Sequence, residues 1–411
     1  MTKASERVRD PTGWAFRSHF RRSVFGWRSS ALAARRVDEA VSEITRVAKK
    51  DPERAAEGAV LFLEKVSPAI RDVDSSSGSL GNAVYSAVQQ LVPVIANARP
   101  GPGVREKWLK RLFEALQEDD PPYLESLGDR WGELCASPAL ASHWADELIF
   151  VVRRIRAERK KGTFGYFRGT SACFSSLLAA GRLDELFALV DGDARPFWAD
   201  VLWAGRALAA RGTADEAIDY VLRRTDDYAS SCAVARFCEG VLLEAGRREE
   251  AYERFALGAN QASSHLARFR AIAAKYPLVA RERILQDLVA ASPGEEGKWF
   301  ATAKSLGQLD FARALAIRSP CDPKTLTRAA RDHAEKAPGF AADVGLAALR
   351  WMAAGRGYEL TGLDVREAYR WTLQAGANAG RGYEVRRHAG NILTQDGAVT
   401  MWMRESLVGL L

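Results

Sequence analysis

Arginine and aromatic residues alternate in the segment between Trp14 and Arg28. Its basic residues include Arg17, Arg21, Arg22 and Arg28. Because guanidinium groups bind phosphates and aromatic rings stack on bases, this segment is a candidate site for a nucleic acid or another polyanion. It would also suit an acidic protein or an anionic membrane surface. The alternative is an N-terminal helix that docks Phe16, Phe20 and Trp27 on the body of the protein and leaves the arginines in solvent, which the helical spacing of the three rings favours.

A second basic cluster ends a predicted helix and precedes a glycine-rich turn. It contains Arg153, Arg154 and Arg156, followed by Arg159, Lys160 and Lys161. Cations near a helix C-terminus are favoured by the helix dipole, and this is a sufficient reason for their presence. Alternatively, Arg153, Arg154 and Arg156 form the second half of a polyanion site. That interpretation requires them to share a surface with the N-terminal arginines.

The net charge of +7 is concentrated at the N-terminus. Residues 1–36 contain nine Lys or Arg and two acidic residues, so they account for the whole net charge and leave the rest of the chain neutral. We therefore predict a basic N-terminal arm on an electrically balanced body. No apolar run is long enough to span a membrane. The charged N-terminus lacks the apolar core of a secretion signal, so we expect a cytoplasmic protein.

Other residues that support metal or catalytic chemistry occur without the necessary spacing. The five cysteines form no CxxC pair, and Cys232 and Cys238 lack a His or Cys pair at zinc spacing. Three acidic residues at 118–120 could bind a metal ion, although such a run is more often a solvated helix end. A P-loop, an HExxH motif, a Gly-x-Ser-x-Gly motif and a dinucleotide fingerprint are all absent from the sequence. We therefore predict a protein without enzymatic activity, cofactor or metal.

The pentapeptide Gly-Arg-Gly-Tyr-Glu occurs twice, at residues 355–359 and 380–384. Both copies precede predicted helices. One interpretation is that a degenerate repeat reuses the same hairpin turn. The other is that the two copies supply a pair of Arg and Tyr contacts to one ligand.

The elements that must position all these residues are helices, and a repeated string organises them. The string begins with a glycine, at Gly181, Gly212, Gly246 and Gly307, and continues with acidic residues and usually an Ala. The spacings between these glycines are 31, 34 and 61 residues. The longest is about twice the period, and residues 275–277 at its middle are predicted to form the same turn without a glycine. A period in the low thirties indicates stacked helical hairpins.

Each part of the string has a mechanical role. Glycine ends one helix because it adopts the left-handed conformation at low steric cost. The acidic residues then begin the next helix, where the helix dipole favours negative charge. The small Ala allows the paired helix to approach closely.

This pattern resembles the tetratricopeptide repeat, in which a Gly closes the first helix and an acidic residue followed by Ala opens the second. Glu216-Ala217 and Glu250-Ala251 match the repeat, Asp310-Phe311-Ala312 matches in part, and Glu185-Leu186 departs at the Ala. The Pro expected after the second helix is missing. The resemblance covers roughly a third of the chain, and it implies a solenoid with a concave surface for a peptide or a partner helix.

A second resemblance covers roughly residues 50–200. Residues 73–80, 131–135 and 161–171 are similar to a bacterial helical family of unknown function, which is related to domains found behind SWIM-type zinc fingers. The Cys-x-Cys and Cys-x-His pairs of that finger are absent from this sequence. The resemblance implies no activity and no catalytic residue.

The sequence thus predicts an all-α fold, an α-solenoid of antiparallel helical hairpins of the tetratricopeptide-like or HEAT-like kind. After the arm at 1–36, we expect N-terminal hairpins at 37–162, tetratricopeptide-like repeats at 163–318, and degenerate repeats with a C-terminal cap at 319–411. The predicted function is a non-enzymatic scaffold for a protein or peptide partner, and the alternative is a nucleic-acid-associated protein. If they face inward, the candidate residues of the partner groove are Trp198, Trp203, Tyr220, Arg236 and Tyr252.

Overall fold

The computed structural model describes residues 13–162, 165–192, 196–224 and 229–409. All regular secondary structure in these ranges is helical, and they contain no strand. The predicted all-α fold is therefore confirmed. Residues 1–12, the first third of the predicted arm, lie outside the described residues.

The chain divides into two compact units, residues 1–229 and 230–411. This boundary falls inside the segment that was predicted as one block of repeats, 163–318. The first unit begins with a 3₁₀ turn, Ala15–Ser18. Its α-helices are α1 (Ser30–Ala48), α2 (Pro52–Ile70), α3 (Ser79–Asn97), α4 (Val104–Gln117), α5 (Glu125–Asp129), α6 (Trp131–Cys135), α7 (Pro138–Lys160), α8 (Thr170–Ala179), α9 (Leu183–Asp191), α10 (Trp198–Ala210) and α11 (Ala214–Arg223).

The second unit is also built from helices. They are α12 (Ser231–Glu244), α13 (Arg248–Ala251) continued through a π-helical turn (Tyr252–Ala256) into α14 (Leu257–Ala259), α15 (His265–Lys275), α16 (Arg281–Ala290), a 3₁₀ turn (Glu296–Trp299) leading into α17 (Phe300–Ser305), α18 (Leu309–Arg318), α19 (Pro323–His333), α20 (Pro338–Ala353), α21 (Gly362–Asn378), α22 (Gly382–Leu393) and α23 (Ala398–Ser406). Among all the helices described in both units, none is both long enough and apolar enough to cross a membrane.

Helices that follow one another in sequence pack together within each unit. In the first unit, α1, α2 and α3 pack on one another, α7 packs on α8, and α10 packs on α9 and α11. In the second unit, α20 packs on α19 and α21, and α21 packs on α22. A helical repeat requires such contacts because one hairpin cannot bury its apolar face alone. The solenoid arrangement itself stays a prediction.

The predicted glycine turns are present at all four positions of the repeated string. The backbone φ angles of Gly181, Gly212, Gly246 and Gly307 are +72°, +85°, +76° and +77°. After Gly246, for example, the amide of Arg247 donates a hydrogen bond of 2.8 Å to the carbonyl of Leu242, which closes the end of α12. This bond pattern is the Schellman motif, which satisfies helix carbonyls that would otherwise have no partner. The acidic residues occupy the first turns of α9, α11, α13 and α18, as predicted.

Candidate functional site

The N-terminal arm is docked on the first unit through its aromatic rings. Trp14, Phe16, Phe20 and Phe25 are all buried. The rings of Phe16 and Phe20 pack edge-on against Phe62 of α2, with centroids 5.6 and 5.0 Å away. The docked arrangement that the ring spacing favoured is therefore present.

The expectation that Trp27 docks on the body is wrong, because 66% of its surface is exposed. The arm is not the continuous helix that was predicted. It forms the turn Ala15–Ser18 and then further turns up to α1. Because the arm is not one helix, the helical spacing in the sequence does not place Trp27 on the same face as Phe16 and Phe20.

Polar contacts hold the docked arm in place. The carboxylate of Glu43 in α1 accepts hydrogen bonds from the amides of Ala15 (2.8 Å) and Phe16 (3.1 Å). The amide of Ser23 donates to the carbonyl of Pro68 in α2 at 2.9 Å. Glycine at position 58 leaves room for the Trp14 ring, since a Cβ there would lie only 2.3 Å from it.

The arginines of the arm face outward, and three of them line a groove of about 630 Å³. We call this the arm groove. It is bounded by the arm, by residues 64–71 at the C-terminal end of α2 and by the turn after α4. Its charged residues are Arg17, Arg21, Arg22, Glu64, Lys65, Arg71, Glu118 and Asp120. Arg28 is exposed but does not line this groove. Because most of the rings are buried, the arm does not offer the alternating arginines and stacking rings that the nucleic-acid interpretation used.

The second basic cluster does not join the arm groove. Arg156 is 7% exposed, and its Nη2 donates a 2.8 Å hydrogen bond to Asp200 of α10. Arg153 lies 3.4 Å from Glu185 in an exposed ion pair. Arg154 is exposed, and none of these three arginines lines the arm groove. Arg156 is therefore not exposed to a polyanion, and a two-part polyanion site that uses Arg153 and Arg154 stays a prediction.

The predicted partner groove is also corrected. Trp203, Tyr220 and Tyr252 are only 3%, 9% and 4% exposed. They pack between helices, where a large ring fills the space between two backbones. Trp198 is half-buried, and Arg236 is exposed.

A different set of rings lines an open cleft in the first unit. This aromatic cleft has a volume of about 630 Å³ and lies where α3, α5, α7, α8 and the start of α10 meet the segment 165–168. Three of its rings are solvent-exposed, with 55% exposure for Tyr85, 59% for Tyr166 and 46% for Phe197. Exposed rings that converge on one concave surface are typical of a binding site.

Hydrogen bonds and stacking orient the side chains of the aromatic cleft. The hydroxyl of Tyr166 donates to Glu125 at 2.9 Å. Burial and this bond raise the pKa of Tyr166. The guanidinium of Arg159 lies 4.2 Å from the centroid of Phe197. Arg168 donates to the backbone carbonyl of Gln117 at 3.3 Å.

The charge of the cleft is balanced by pairs within the protein. Its carboxylates are Glu125, Asp129 and Asp200. Glu125 is bonded to Tyr166, and Asp200 is paired with Arg156. A hydrogen bond from the neutral Tyr166 hydroxyl leaves Glu125 charged, so the three arginines of the cleft, Arg156, Arg159 and Arg168, are matched by its three carboxylates and the lining carries no net charge.

Sequence reasoning missed these cleft residues. One signal was available: Tyr85 is adjacent to the buried stripe of α3 formed by Val84, Val88 and Leu91 and is not part of it. The packing of a helix does not explain the presence of a large ring outside its apolar stripe. Tyr166 and Arg168 entered the sequence analysis only through a family resemblance, and Phe197 did not enter it.

The acidic run at 118–120 is divided between the interior and the surface. Asp119 is 1% exposed and accepts a 2.6 Å hydrogen bond from the amide of Leu124, while burial raises its pKa. Glu118 and Asp120 remain exposed. The described residues contain no group of His, Cys, Asp and Glu that could hold a metal ion.

The two copies of the pentapeptide adopt different structures. Arg381 of the second copy pairs with Glu384 (2.9 Å) and with Asp343 of α20 (3.0 Å) at the start of α22. In the first copy, Gly357 and Glu359 have φ angles of +110° and +46°, and the next helix begins only at Gly362. The same five residues thus make a helix start in one place and a loop in the other.

No protein-family model matches the chain, and no curated protein matches it.

Proposed function

We propose that this protein is a non-enzymatic interaction scaffold that binds a peptide segment of a partner protein in the aromatic cleft. The convergence of Tyr85, Tyr166 and Phe197 on one cleft carries the proposal. Tyr rings are enriched among the residues that dominate protein interfaces, because a rigid ring contributes a large contact area at a low cost in conformational entropy.

The chemistry of the cleft defines the class of peptide. The rings provide apolar contacts for an aromatic or aliphatic side chain. The three arginines and three carboxylates of the cleft balance, so the apolar side chain of the peptide, and not its charge, decides recognition. The volume of about 630 Å³ accommodates a few side chains, so the site recognises a short segment and not a whole domain.

Selection from a library of phage-displayed peptides on the intact protein tests the proposal. We expect enriched peptides to share an aromatic or aliphatic residue. Their affinity, measured by fluorescence polarisation, should fall by about 30-fold or more for each ring that is removed in Tyr85→Ala and Phe197→Ala.

The matched control is the pair Tyr358→Ala and Tyr383→Ala, which removes two rings that are 80% and 83% exposed in the second unit. This control should leave the affinity unchanged. Enriched peptides that bind the cleft variants as tightly as the wild type would refute the proposal, and so would a selection that enriches no peptide.

A cytoplasmic location also stays a proposal. It is supported by Cys135, Cys173, Cys232, Cys238 and Cys321, which are all free thiols. Four of the five are buried, and thiols of this kind persist in a reducing compartment.

A further inference from the structure

The arm groove is lined by charges of both signs, and the arm and the turn after α4 contribute opposite signs. Residues 64–71, at the C-terminal end of α2, contact both of the other segments that line it. Pro68 accepts a hydrogen bond from Ser23 of the arm, and Arg71 lies 3.6 Å from Asp120 of the turn after α4. The arm contributes Arg17, Arg21 and Arg22 to the lining, and the turn after α4 contributes Glu118 and Asp120.

Internal pairs neutralise part of this charge. Glu64 pairs with Arg111 at 2.7 Å, and Asp120 is the partner of Arg71. Within the described ranges, the side chains of Arg21, Arg22 and Lys65 have no ion-pair or hydrogen-bond partner, and neither has that of Glu118. Uncompensated positive charge therefore lies on the arm and on α2, and one uncompensated carboxylate lies on the turn after α4.

Arginine dominates the basic side, and this points to phosphate. The planar guanidinium presents two parallel N–H groups, which match two oxygens of a phosphate. A phosphate monoester at this position would accept hydrogen bonds from Arg21 and Arg22 and attract the ammonium of Lys65.

The carboxylates of the turn after α4 limit the length of the anion. A long polyanion that crossed the groove would bring phosphates next to Glu118 and Asp120, where like charges repel. A compact ligand avoids this repulsion. A cationic group at its other end would instead be attracted to Glu118.

We infer that the arm groove binds a small phosphate monoester that also carries a cationic group, with the phosphate on Arg21, Arg22 and Lys65 and the cation at Glu118. This inference goes beyond the proposed peptide function and concerns a different surface. The site exists only while the arm is docked, because the arm supplies its basic side.

Two matched probes test it on the full-length chain by isothermal titration calorimetry. Phosphoethanolamine and ethyl phosphate differ by one ammonium group. We expect phosphoethanolamine to bind at least about threefold more tightly than ethyl phosphate, since an ammonium near a partly exposed carboxylate contributes modestly to the binding free energy. Glu118→Gln should remove this difference, whereas Glu114→Gln, one turn earlier on α4, should preserve it.

The phosphate contacts are tested separately. Arg21→Ala with Arg22→Ala should weaken both probes by about tenfold or more, because each charge-assisted hydrogen bond is lost. The control, Arg386→Ala with Arg387→Ala, removes an equally exposed pair from α22 and should have no effect.

Long-chain polyphosphate and oligonucleotides provide the last comparison. If affinity rises steeply with chain length, the groove belongs to an extended polyanion site and the inference is wrong. It is equally wrong if neither small probe binds, or if the arginine and control variants behave alike. None of these results depends on whether peptides bind the aromatic cleft, so the two proposals fail independently.

Discussion

Replacing Gly58 by Ala tests how the arm is attached to the body. Gly58 lies inside α2, where Ala is normally preferred by about 1 kcal/mol. Its added Cβ would lie 2.3 Å from Cζ2 and 2.6 Å from Cε2 of Trp14, so the ring must move. We therefore expect Gly58→Ala to destabilise the protein, which is the opposite of what helix propensity predicts.

The magnitude follows from the burial of Trp14, which is only 5% exposed. An aromatic side chain buries about 150–250 Å², worth about 4–6 kcal/mol at ~25 cal/mol per Å². Phe16 and Phe20 keep their contacts with α2, so we expect about half of this burial free energy to be lost. After the propensity gain, the net loss is about 1–2 kcal/mol in the free energy of unfolding.

Denaturant unfolding and amide hydrogen exchange measure the two consequences. The amides of Ala15, Phe16 and Ser23, which bond to Glu43 and Pro68, should lose protection as the arm loosens. Gly81→Ala in α3 is the control, because no atom lies within 4 Å of its Cβ position, and it should leave stability unchanged or raised.

The decisive measurement repeats the substitution in a Trp14→Ala background. Without the ring there is no clash, so Gly58→Ala should now stabilise the protein by about 1 kcal/mol. Stabilisation of the wild type by Gly58→Ala would refute the reasoning. So would the same destabilisation in both backgrounds.

Three other predictions concern packing, thiols and an ion pair. Gly345→Ala should destabilise the second unit by about 1–3 kcal/mol in chemical unfolding, because its Cβ would lie 2.3 Å from Oγ1 of Thr372 where α20 crosses α21. Cys232 should be the first cysteine to react with a thiol reagent, as followed by mass spectrometry. It is only half-buried, whereas burial raises the pKa of the other four thiols to about 11 or 12. Hydrogen bonds from Arg182 at 2.6 and 2.9 Å lower the pKa of Glu185. The ionised carboxylate therefore stabilises the fold at pH values above the ordinary pKa of 4.5, and this stabilisation is lost as the pH falls through the lowered pKa. Glu185→Gln should thus cost under about 1 kcal/mol at neutral pH and nothing in strong acid, as measured by thermal unfolding across pH.

Each of these predictions has a control or a contrary result. Gly339→Ala, also in α20, has no atom within 4 Å of its Cβ position and should not destabilise. Reaction of the buried Cys135 or Cys173 as fast as Cys232 in the native protein would contradict the thiol order. A stability difference for Glu185→Gln that persists unchanged in acid would show that its ionised form contributes nothing.

The sequence by itself determined the features that depend on residues near in the chain. The glycine turns could be predicted at Gly181, Gly212, Gly246 and Gly307 because left-handed backbone is strained for other residues. The acidic helix starts could be predicted because the dipole acts within the first turn. Periodic apolar residues predicted helices for the same local reason.

Only the tertiary structure decided which side chains meet and which face solvent. Trp203 and Tyr220 resemble Tyr85 and Phe197 in type, yet the first two are buried and the second two line an open cleft. The identical pentapeptides differ for the same kind of reason: Arg381 of the second copy is held by Asp343, which lies 38 residues earlier in the chain. Burial and ion pairing depend on helices that are distant in sequence, and no spacing within one segment contains that information.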